Sequence, residues 1–406
     1  MNRRKFISKT LATTATTLAF SALNSRAEES AAPTAPKRKI KLGVVGLGGR
    51  GQWIAGLFRK HGGYQISAVA DYFPAVATAN GKALGVDEAH CYSGLSGYQK
   101  MIASGVEAIV IIDVPYFYPE QARVAVAAGL HVYMAKPVAV DVPGALAILE
   151  TSKMATKKQR VFMVDYQMPT DPINIEVAQR IRDGGLGKLA QIQTVGMSGG
   201  FSDPPKTANI ESRLQNLIWV NDIALGCDNI GNFDIHAIDA ALWVAGQRPV
   251  AAAGASSICR ANPHGDGHDV CSVVYHYANG LVHNHFGQAL ANNHDGADGL
   301  VARFHGQLAN AQINYNGKSF LRGGPMHFGG GQVENLYEAG ALRNIATFYN
   351  HVTLGQFENL TVPRAVDGVL TCVLGREAAS RKTFLTMEEL LKENKKLEMD
   401  LTELKV

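Results

Sequence analysis

Cysteine is scarce in this sequence of 406 residues: there are five, an odd number, and no two of them form a Cys-x-x-Cys pair. This pattern argues against a disulfide framework and against a thiolate zinc site. No apolar stretch reaches the roughly 20 residues that a membrane-spanning helix needs. Charged residues make up only 18%, and the net charge of +4 includes five basic residues, with no acidic one, among the first 27. The rest of the chain is nearly neutral and does not indicate nucleic-acid binding.

Those first 27 residues contain the pair Arg3-Arg4, then a short, weakly apolar stretch, then Ser25-Arg26-Ala27, which resembles a small-x-small cleavage site. The pattern predicts a twin-arginine signal over residues 1–27 and a linker over 28–38; an ordinary amphipathic helix is the alternative. Proteins exported by this route cross the membrane folded, usually with a cofactor already loaded. We therefore expect the twin-arginine export machinery as a partner, a periplasmic location with no membrane in the mature form, and a tightly bound cofactor.

The apolar fraction of 46% is enough to fill the cores of two domains. The first begins with the apolar run Ile40–Val45, a glycine-rich segment and a helix around Trp53–Phe58, in the order of a dinucleotide-binding turn. Its glycines match G-x-G-x-x-G, where they allow a tight turn, approach of a pyrophosphate and close helix packing. The residues predicted to bind the cofactor here are Gly46, Leu47, Gly48, Gly49, Arg50 and Gly51.

A second apolar strand, Gln65–Ala70, ends at Asp71, twenty residues after Gly51. A carboxylate at this place accepts hydrogen bonds from both hydroxyls of the adenosine ribose and repels a 2′-phosphate. The sequence therefore favours NAD over NADP. The alternatives are a purely structural glycine turn and an Asp71 that only caps the helix before Pro74.

Apolar strands and helices continue to alternate to residue 165, and the strands are unbroken apolar runs, as expected when helices cover both faces of a sheet. The sequence predicts a doubly wound parallel Rossmann sheet over residues 39–165. Ligands bind such sheets outside the carboxyl ends of the strands, so the loops Asp113–Tyr118 and Met134–Val138 are expected to line the cofactor. Val114, Pro115 and Tyr118 are predicted contacts, although the aromatic ring of Tyr118 fits core packing equally well.

The segments GVVGLGGRG and EAIVIIDVPYFYPEQARVAVAAGLHVYMAKPVAVD resemble the family named for glucose-fructose oxidoreductase, inositol dehydrogenase and a rhizopine catabolism protein (Gfo/Idh/MocA). The resemblance implies an oxidoreductase whose Glu-Lys-Pro motif, often with a cis proline, places its lysine beside the nicotinamide. Lys136-Pro137 matches, so Lys136 is implied to be catalytic and both residues to contact the cofactor. Ala135 replaces the usual Glu, so no carboxylate at that position favours the ammonium form of Lys136.

Longer β segments with Gly and Asn between them follow, and they predict a C-terminal α+β domain over 166–385 with a large, open, mostly antiparallel sheet. The family resemblance implies that this sheet covers the active site and builds a homo-oligomer. Tyr166 and Gln167, at the junction of the two domains, are implied substrate-binding residues.

GCDNIGNFDIHAIDAALWVAG resembles the second family signature, a helix with His236 three residues before Asp239. We expect His236 to act as general base, because its near-neutral pKa suits removal of a proton from a sugar hydroxyl. Asp239 is the third catalytic candidate; helix solvation or orientation of the histidine are the alternatives. Asn232 falls on the same helical face, where an amide can bind a substrate hydroxyl but cannot take its proton. Asp234 is a further substrate-binding candidate.

No metal site is predicted, because the histidines outside this helix lie in a glycine-containing loop or alternate along a strand and do not fix a third ligand. Residues 386–406 carry leucines among Glu and Lys. This run predicts a helical segment that packs back on the body.

Three functions remain open at this stage. The first is a periplasmic NAD(P)-dependent oxidoreductase acting on a carbohydrate or cyclic polyol, with Lys136 and His236 at the reacting carbinol. The second is an NAD-dependent glycoside hydrolase that works by oxidation, elimination, hydration and reduction. The third is a non-catalytic sugar-binding protein on the same fold.

Overall fold

The computed structural model describes residues 38–292, 299–359 and 361–406. The predicted twin-arginine signal and all but the last residue of the predicted linker lie outside the described residues. None of the helices in the described ranges is both long and apolar enough to cross a membrane.

The first sheet has six parallel strands in the order β3-β2-β1-β4-β5-β6. Its central strands are almost wholly buried, because helices cover both faces. The strands are β1 (Ile40–Val45), β2 (Tyr64–Asp71), β3 (Cys91–Ser93), β4 (Ala108–Ile111), β5 (His131–Met134) and β6 (Phe162–Val164). The helices are α1 (Gly49–His61), α2 (Pro74–Leu84), α3 (Gly97–Ala103), α4 (Tyr118–Ala127) and α5 (Val142–Lys157).

The second sheet has nine strands in the order β14-β13-β12-β11-β7-β10-β9-β8-β15. Only the β7–β10 pair is parallel, so the sheet is mostly antiparallel. Its strands are β7 (Leu189–Ser198), β8 (Ala251–Ser257), β9 (Val270–His276), β10 (Val282–Ala289), β11 (Leu300–Gly306), β12 (Ala309–Asn314), β13 (Lys318–Gly323), β14 (Phe328–Gln332) and β15 (Leu385–Thr386). The predicted fold class, a Rossmann sheet followed by an α+β part with an open sheet, is confirmed.

The described part of the second half has six α-helices, and two of them pack against elements of the first layer. The six helices are α6 (Pro172–Arg182), α7 (Ile223–Gly226), α8 (Ile235–Ala245), α9 (Leu336–Leu354), α10 (Thr361–Arg381) and α11 (Met387–Glu393). α8 lies against β7 and β11, while α9 packs on α1 of the first sheet. α10 contacts β8, α8 and α5, so one long helix touches both layers. The boundaries 39–165, 166–385 and 386–406 stay predictions.

The helix expected over 386–406 is much shorter in the structure. A capping box begins α11: the Thr386 hydroxyl accepts from the Glu389 backbone N–H, and the Glu389 carboxylate accepts from the N–H of Thr386. Asn394, with φ 42°, ends it in the left-handed conformation. Beyond Glu393 the helical prediction is wrong, because residues 397–406 bond to loops of the first sheet instead of continuing their own turns.

Candidate functional site

The glycine turn joins β1 to α1. Gly46 has φ 87°, and a Cβ there would lie 2.6 Å from the backbone nitrogen of Asp113. A Cβ on Gly51 would lie 1.9 Å from the Gly46 carbonyl oxygen, so both glycines are required by close backbone packing. In contrast, Gly48 and Gly49 are exposed, and a Cβ on either would meet nothing within 4 Å. The turn therefore has the packed side and the open side that a bound pyrophosphate needs.

Asp71 lies at the end of β2, beside this turn. One carboxylate oxygen accepts the N–H of Leu47 at 2.8 Å, and the other accepts the N–H of Phe73 at 2.9 Å. Burial raises the pKa of Asp71, and the two backbone hydrogen bonds oppose this shift. Phe73, not Asp71, is the N-cap of α2. The carboxylate is thus fixed at the edge of the cleft and retains lone pairs for ribose hydroxyls.

Arg50 points from the glycine turn toward the far strands of the sheet. Its guanidinium lies 2.7 Å from a carboxylate oxygen of Asp165, just after β6, and 4.8 Å above the ring of Tyr337. Although burial disfavours the charge, Asp165 raises the pKa of Arg50 above its ordinary value. Arg50, which the sequence predicts to bind the cofactor, is therefore paired with the Asp165 carboxylate.

The loop after β4 is mostly packed inward. Asp113 is half-buried, loss of solvation raises the pKa of its carboxyl to about 7, and it accepts the amide N–H of Gln121 at 2.6 Å. The Tyr118 hydroxyl donates to the Asp113 carbonyl at 3.0 Å, and the Tyr118 ring is 2% exposed. Val114 and Pro115 are buried as well. The environment of Tyr118 therefore agrees with the alternative that its ring packs in the core.

Lys136 follows β5, and the Lys136–Pro137 bond is cis. Its ammonium group donates to the backbone carbonyl of Asn232, on the turn that leads into α8. The pKa of Lys136 is lowered to about 7: burial and the charge of Arg50 lower it, whereas Asp165 and Asp234 act in the opposite direction. The lysine therefore changes its charge near neutral pH.

His236 lies in the first turn of α8 and is 7% exposed. Burial lowers the pKa of His236 well below its usual value, and the positive charge of Lys136 acts in the same direction. The imidazole is therefore neutral at neutral pH, as a general base must be. Its ring centroid lies 6.0 Å from that of Tyr166 and 5.3 Å from that of Tyr315.

Three buried polar atoms near this ring have no hydrogen-bond partner among the described residues: His236 Nδ1, the Tyr166 hydroxyl and Gln167 Nε2. Gln167 is held in place because its Oε1 accepts the Tyr315 hydroxyl at 3.3 Å. Unpaired buried polar atoms are costly, and a bound ligand is one way to satisfy them. A ligand rich in hydroxyl groups suits this set.

The two aspartates near His236 have other partners. Asp239 is fully buried and accepts the Arg364 guanidinium at 2.6 Å, and no hydrogen bond to His236 is seen. Asp234 is also fully buried, 3.0 Å from His285 Nε2, and its predicted contact with substrate is corrected, because it faces the second sheet and not the cleft.

The expectation that Asn232 shares one helical face with His236 and Asp239 is wrong. Residues 230–234 form a π turn, whose i→i+5 hydrogen bonds break the 3.6-residue spacing before α8 begins. What Asn232 contributes is its backbone carbonyl, which accepts Lys136.

The strand histidines form a buried hydrogen-bond chain. Asp234 pairs with His285, whose Nδ1 lies 3.0 Å from the Thr194 hydroxyl, and that hydroxyl lies 2.6 Å from His283 Nε2. In the described part of the chain, Asp234, Cys271 and His285 are the one set of three possible metal ligands close together, within 4.8 Å. Their direct Asp–His hydrogen bond already satisfies two of the three groups.

Several contacts at the site come from residues that sequence reasoning did not single out. Tyr315 follows β12, Arg364 lies in α10 and Tyr337 in α9, far along the chain from the motifs they contact. No local pattern marks them. The helical positions of Arg364 and Tyr337 indicate only that their helices pack somewhere on the body.

Comparisons with known proteins agree with this arrangement. The family GFO_IDH_MocA, described as "Oxidoreductase family, NAD-binding Rossmann fold", matches residues 40–166. An uncharacterized oxidoreductase of Synechocystis sp. is 26% identical over 183 residues, which is 45% of each chain. The inositol 2-dehydrogenase of Rhizobium meliloti is 24% identical over 243 residues, 59% of this chain and 66% of that protein. The alignments thus span between about half and two thirds of these curated relatives.

Among solved structures, levoglucosan dehydrogenase in complex with NADH and levoglucosan superimposes with a TM-score of 0.69 at 16% identity, covering 86% of this chain and 100% of the other. At this identity the likeness establishes the fold across both sheets. The family match, the fold and the open glycine turn agree with one another. Residues 40–166 therefore match the NAD-binding Rossmann fold of the oxidoreductase family GFO_IDH_MocA.

Proposed function

We propose that this protein oxidises a secondary hydroxyl of a carbohydrate or cyclic polyol with NAD, and that Lys136 and His236 act on that hydroxyl. One observation carries the proposal: Lys136, at the carboxyl end of β5, is bonded to the carbonyl of Asn232, four residues before His236. The two groups therefore lie close together, and the charge of Lys136 acts on the imidazole.

The chemistry of these residues suits carbinol oxidation. Neutral His236 accepts the hydroxyl proton, while the Lys136 ammonium donates a hydrogen bond to the same oxygen as negative charge develops on it. The C–H bond breaks and its electron pair leaves as hydride, so the carbinol becomes a carbonyl. When bound, NAD⁺ supplies the hydride acceptor. Tyr166 and Gln167 offer unpaired polar atoms to neighbouring hydroxyls of the substrate.

The names of similar proteins support the substrate class. The Rhizobium meliloti relative is an inositol 2-dehydrogenase, and the solved structure with similar fold binds levoglucosan together with NADH. Inositol is a cyclic polyol and levoglucosan a sugar derivative. Both present several hydroxyls, which matches the unpaired polar groups around His236.

The location and the tight cofactor are parts of the same proposal. The Arg3-Arg4 pattern supports export of the folded protein to the periplasm. Because NAD released there is lost to the cell, we propose that it stays bound and is reoxidised within the catalytic cycle. A homo-oligomer also remains a prediction.

The test begins with purified full-length protein. Denaturation should release nucleotide absorbing at 260 or 340 nm, identified by mass spectrometry as NAD. A panel of sugars and cyclic polyols with added NAD should then give carbonyl product and NADH, or product in the presence of a second carbonyl substrate. Protein that neither contains nor binds NAD contradicts the proposal. Turnover of aryl glycosides without net NADH would replace it with the glycoside hydrolase route.

A further inference from the structure

A cavity of about 380 Å³ lies beside the end of β2, between Phe73 and the loop formed by residues 207–215. This volume falls within the roughly 300–1,000 Å³ typical of small-molecule pockets. Phe73 also donates its backbone N–H to Asp71, the proposed ribose acceptor, at 2.9 Å. The cavity therefore adjoins the place where the adenosine half of a dinucleotide would lie.

The 207–215 loop is tied to this rim and to the chain segments on either side of the loop. At the rim, the Tyr72 hydroxyl donates to the Glu211 carboxylate at 2.9 Å. At the other side, buried Arg213 lies 2.7 Å from Asp203 and 2.6 Å from Asp222. The far wall of the cavity is thus held at a fixed distance from β2.

Residues 397–406, here called the strap, cross the same edge of the first sheet. The Leu397 N–H donates to Asp141 at 2.8 Å, and the Met399 N–H donates to the Tyr116 hydroxyl at 3.3 Å. Further along, the Lys405 carbonyl accepts the N–H of Leu95 at 2.8 Å, while the Lys405 N–H donates to the Tyr72 hydroxyl at 3.2 Å. The strap therefore joins the loops that follow β2, β3 and β4.

Side-chain packing strengthens this connection. Leu404 of the strap is 7% exposed and belongs to a small apolar cluster with Val114 and Leu214. Gly94 allows the close approach: its φ is 81°, and a Cβ there would lie 2.9 Å from the backbone of Val406. The Lys405 ammonium also lies 3.4 Å from Glu211. Tyr72 and Glu211 thus connect the strap to the 207–215 loop.

We propose that the strap and the 207–215 loop form a clamp over the adenosine half of NAD and slow its release. The proposal rests on the proposed function, because it assumes that NAD is the ligand. Both parts of the clamp bear on the loops where the parallel strands end, and this is the edge at which dinucleotides bind. Dissociation then requires their contacts to open, and affinity differences of this kind are expressed mainly in the dissociation rate.

The clamp predicts a change in NAD release without a change in chemistry. In full-length protein, Tyr72→Phe removes the hydroxyl shared by Glu211 and Lys405. It should raise the dissociation rate of NAD about thirtyfold, since the two hydrogen bonds together contribute about 2 kcal/mol. Deletion of residues 397–406 should raise it further. Release is measured by rapid dilution and separation, with nucleotide quantified by mass spectrometry. Thr402→Ala is the matched control, because that hydroxyl bonds only within the strap, to Asp400 at 2.6 Å.

The outcomes separate the two proposals. Wild-type protein that binds no NAD overturns the proposed function and the clamp together. Wild-type protein that retains NAD, while Tyr72→Phe and the deletion release it at the wild-type rate, overturns the clamp alone. Because a deletion can unfold the chain, the melting temperature is recorded for each variant, and Tyr72→Phe, which leaves the ring in place, decides the question.

Discussion

The two ends of the proposed cofactor cleft are built in different ways. At the phosphate end, the recognition groups are backbone N–H groups of an exposed turn, and the nearest side chains at Gly48 and Gly49 are absent. At the reacting end, Lys136 and His236 are side chains held among groups from distant parts of the chain, and burial depresses the pKa of both. Binding at the phosphate end depends on open space beside the backbone, whereas chemistry at the reacting end depends on the charge of buried side chains. Substitutions at each should therefore fail in different ways.

The largest effect is expected for Gly51→Ala. Its new Cβ would lie 1.9 Å from the Gly46 carbonyl oxygen, so the turn must open; we expect bound nucleotide to disappear and stability to fall by about 3 kcal/mol or more. Nucleotide content and thermal unfolding measure this. Gly56→Ala, further along α1 and outside the turn, is the control, because a Cβ there would meet nothing within 4 Å. Unchanged nucleotide content in Gly51→Ala would refute the steric account of this end.

At the reacting end, Lys136→Met should reduce kcat about 10²–10³-fold and leave NAD bound, since it removes one donor to the developing oxyanion. The measurement is steady-state oxidation of the best substrate from the panel, with nucleotide content recorded in parallel. Lys153→Met, at an exposed lysine paired with Glu150, serves as control. Loss of bound NAD together with activity would show that Lys136 is needed to bind the cofactor and not only for the chemical step.

Asp71→Asn should weaken NAD binding by about tenfold, because hydrogen bonds to a charged acceptor contribute roughly 1.5–3 kcal/mol and the amide retains part of this. Affinity for NADP should fall less or rise, since the charge that repels a 2′-phosphate is gone. Titration calorimetry with both nucleotides gives the ratio. A ratio equal to that of wild type would mean that Asp71 serves only the turn.

The smallest effect concerns pH. The Lys136 ammonium exists below its pKa of about 7, so oxidation should decline as the pH rises through 7. Besides Asp234, the charges acting on Lys136 are those of Arg50 and Asp165, with a contribution from Cys372. Asp234→Asn removes a negative charge that favours the ammonium, so the decline should move to lower pH by up to about one unit.

The control for this shift is Asp239→Asn. Asp239 pairs with Arg364 and does not act on Lys136, so its substitution should leave the midpoint of the decline in place. Profiles of kcat against pH for the three proteins decide the matter. Equal displacement in both variants would indicate a general loss of packing rather than a local charge effect.

Much of the first sheet could be predicted from the sequence, because its buried strands are continuous apolar runs and its turn has a glycine signature. The predicted strand Ile40–Val45 matches the structure residue for residue. The short β3 and the strands β12 to β14 were not anticipated, since they are brief or half-exposed and lack a strong alternation.

The residues of the candidate site also fall into two groups, those that a local motif predicts and those that only tertiary packing brings in. Gly51, Asp71 and Lys136 belong to local motifs, so their places in the cleft followed from the order of strands. Tyr315 and Arg364 meet the site only through tertiary packing, which no short pattern encodes. Asp234 shows the converse, because the spacing put it near His236, but the π turn directed its carboxylate to the second sheet.

Helix α10 has a consequence for how the protein is made. It contacts α5 over the first sheet and β8 in the second, yet it follows both in the chain. During synthesis, the nucleotide-binding half therefore emerges with one of its surfaces uncovered until residues 361–381 have left the ribosome. Loss of this helix should therefore weaken both layers at once, and heat should melt them in a single cooperative transition.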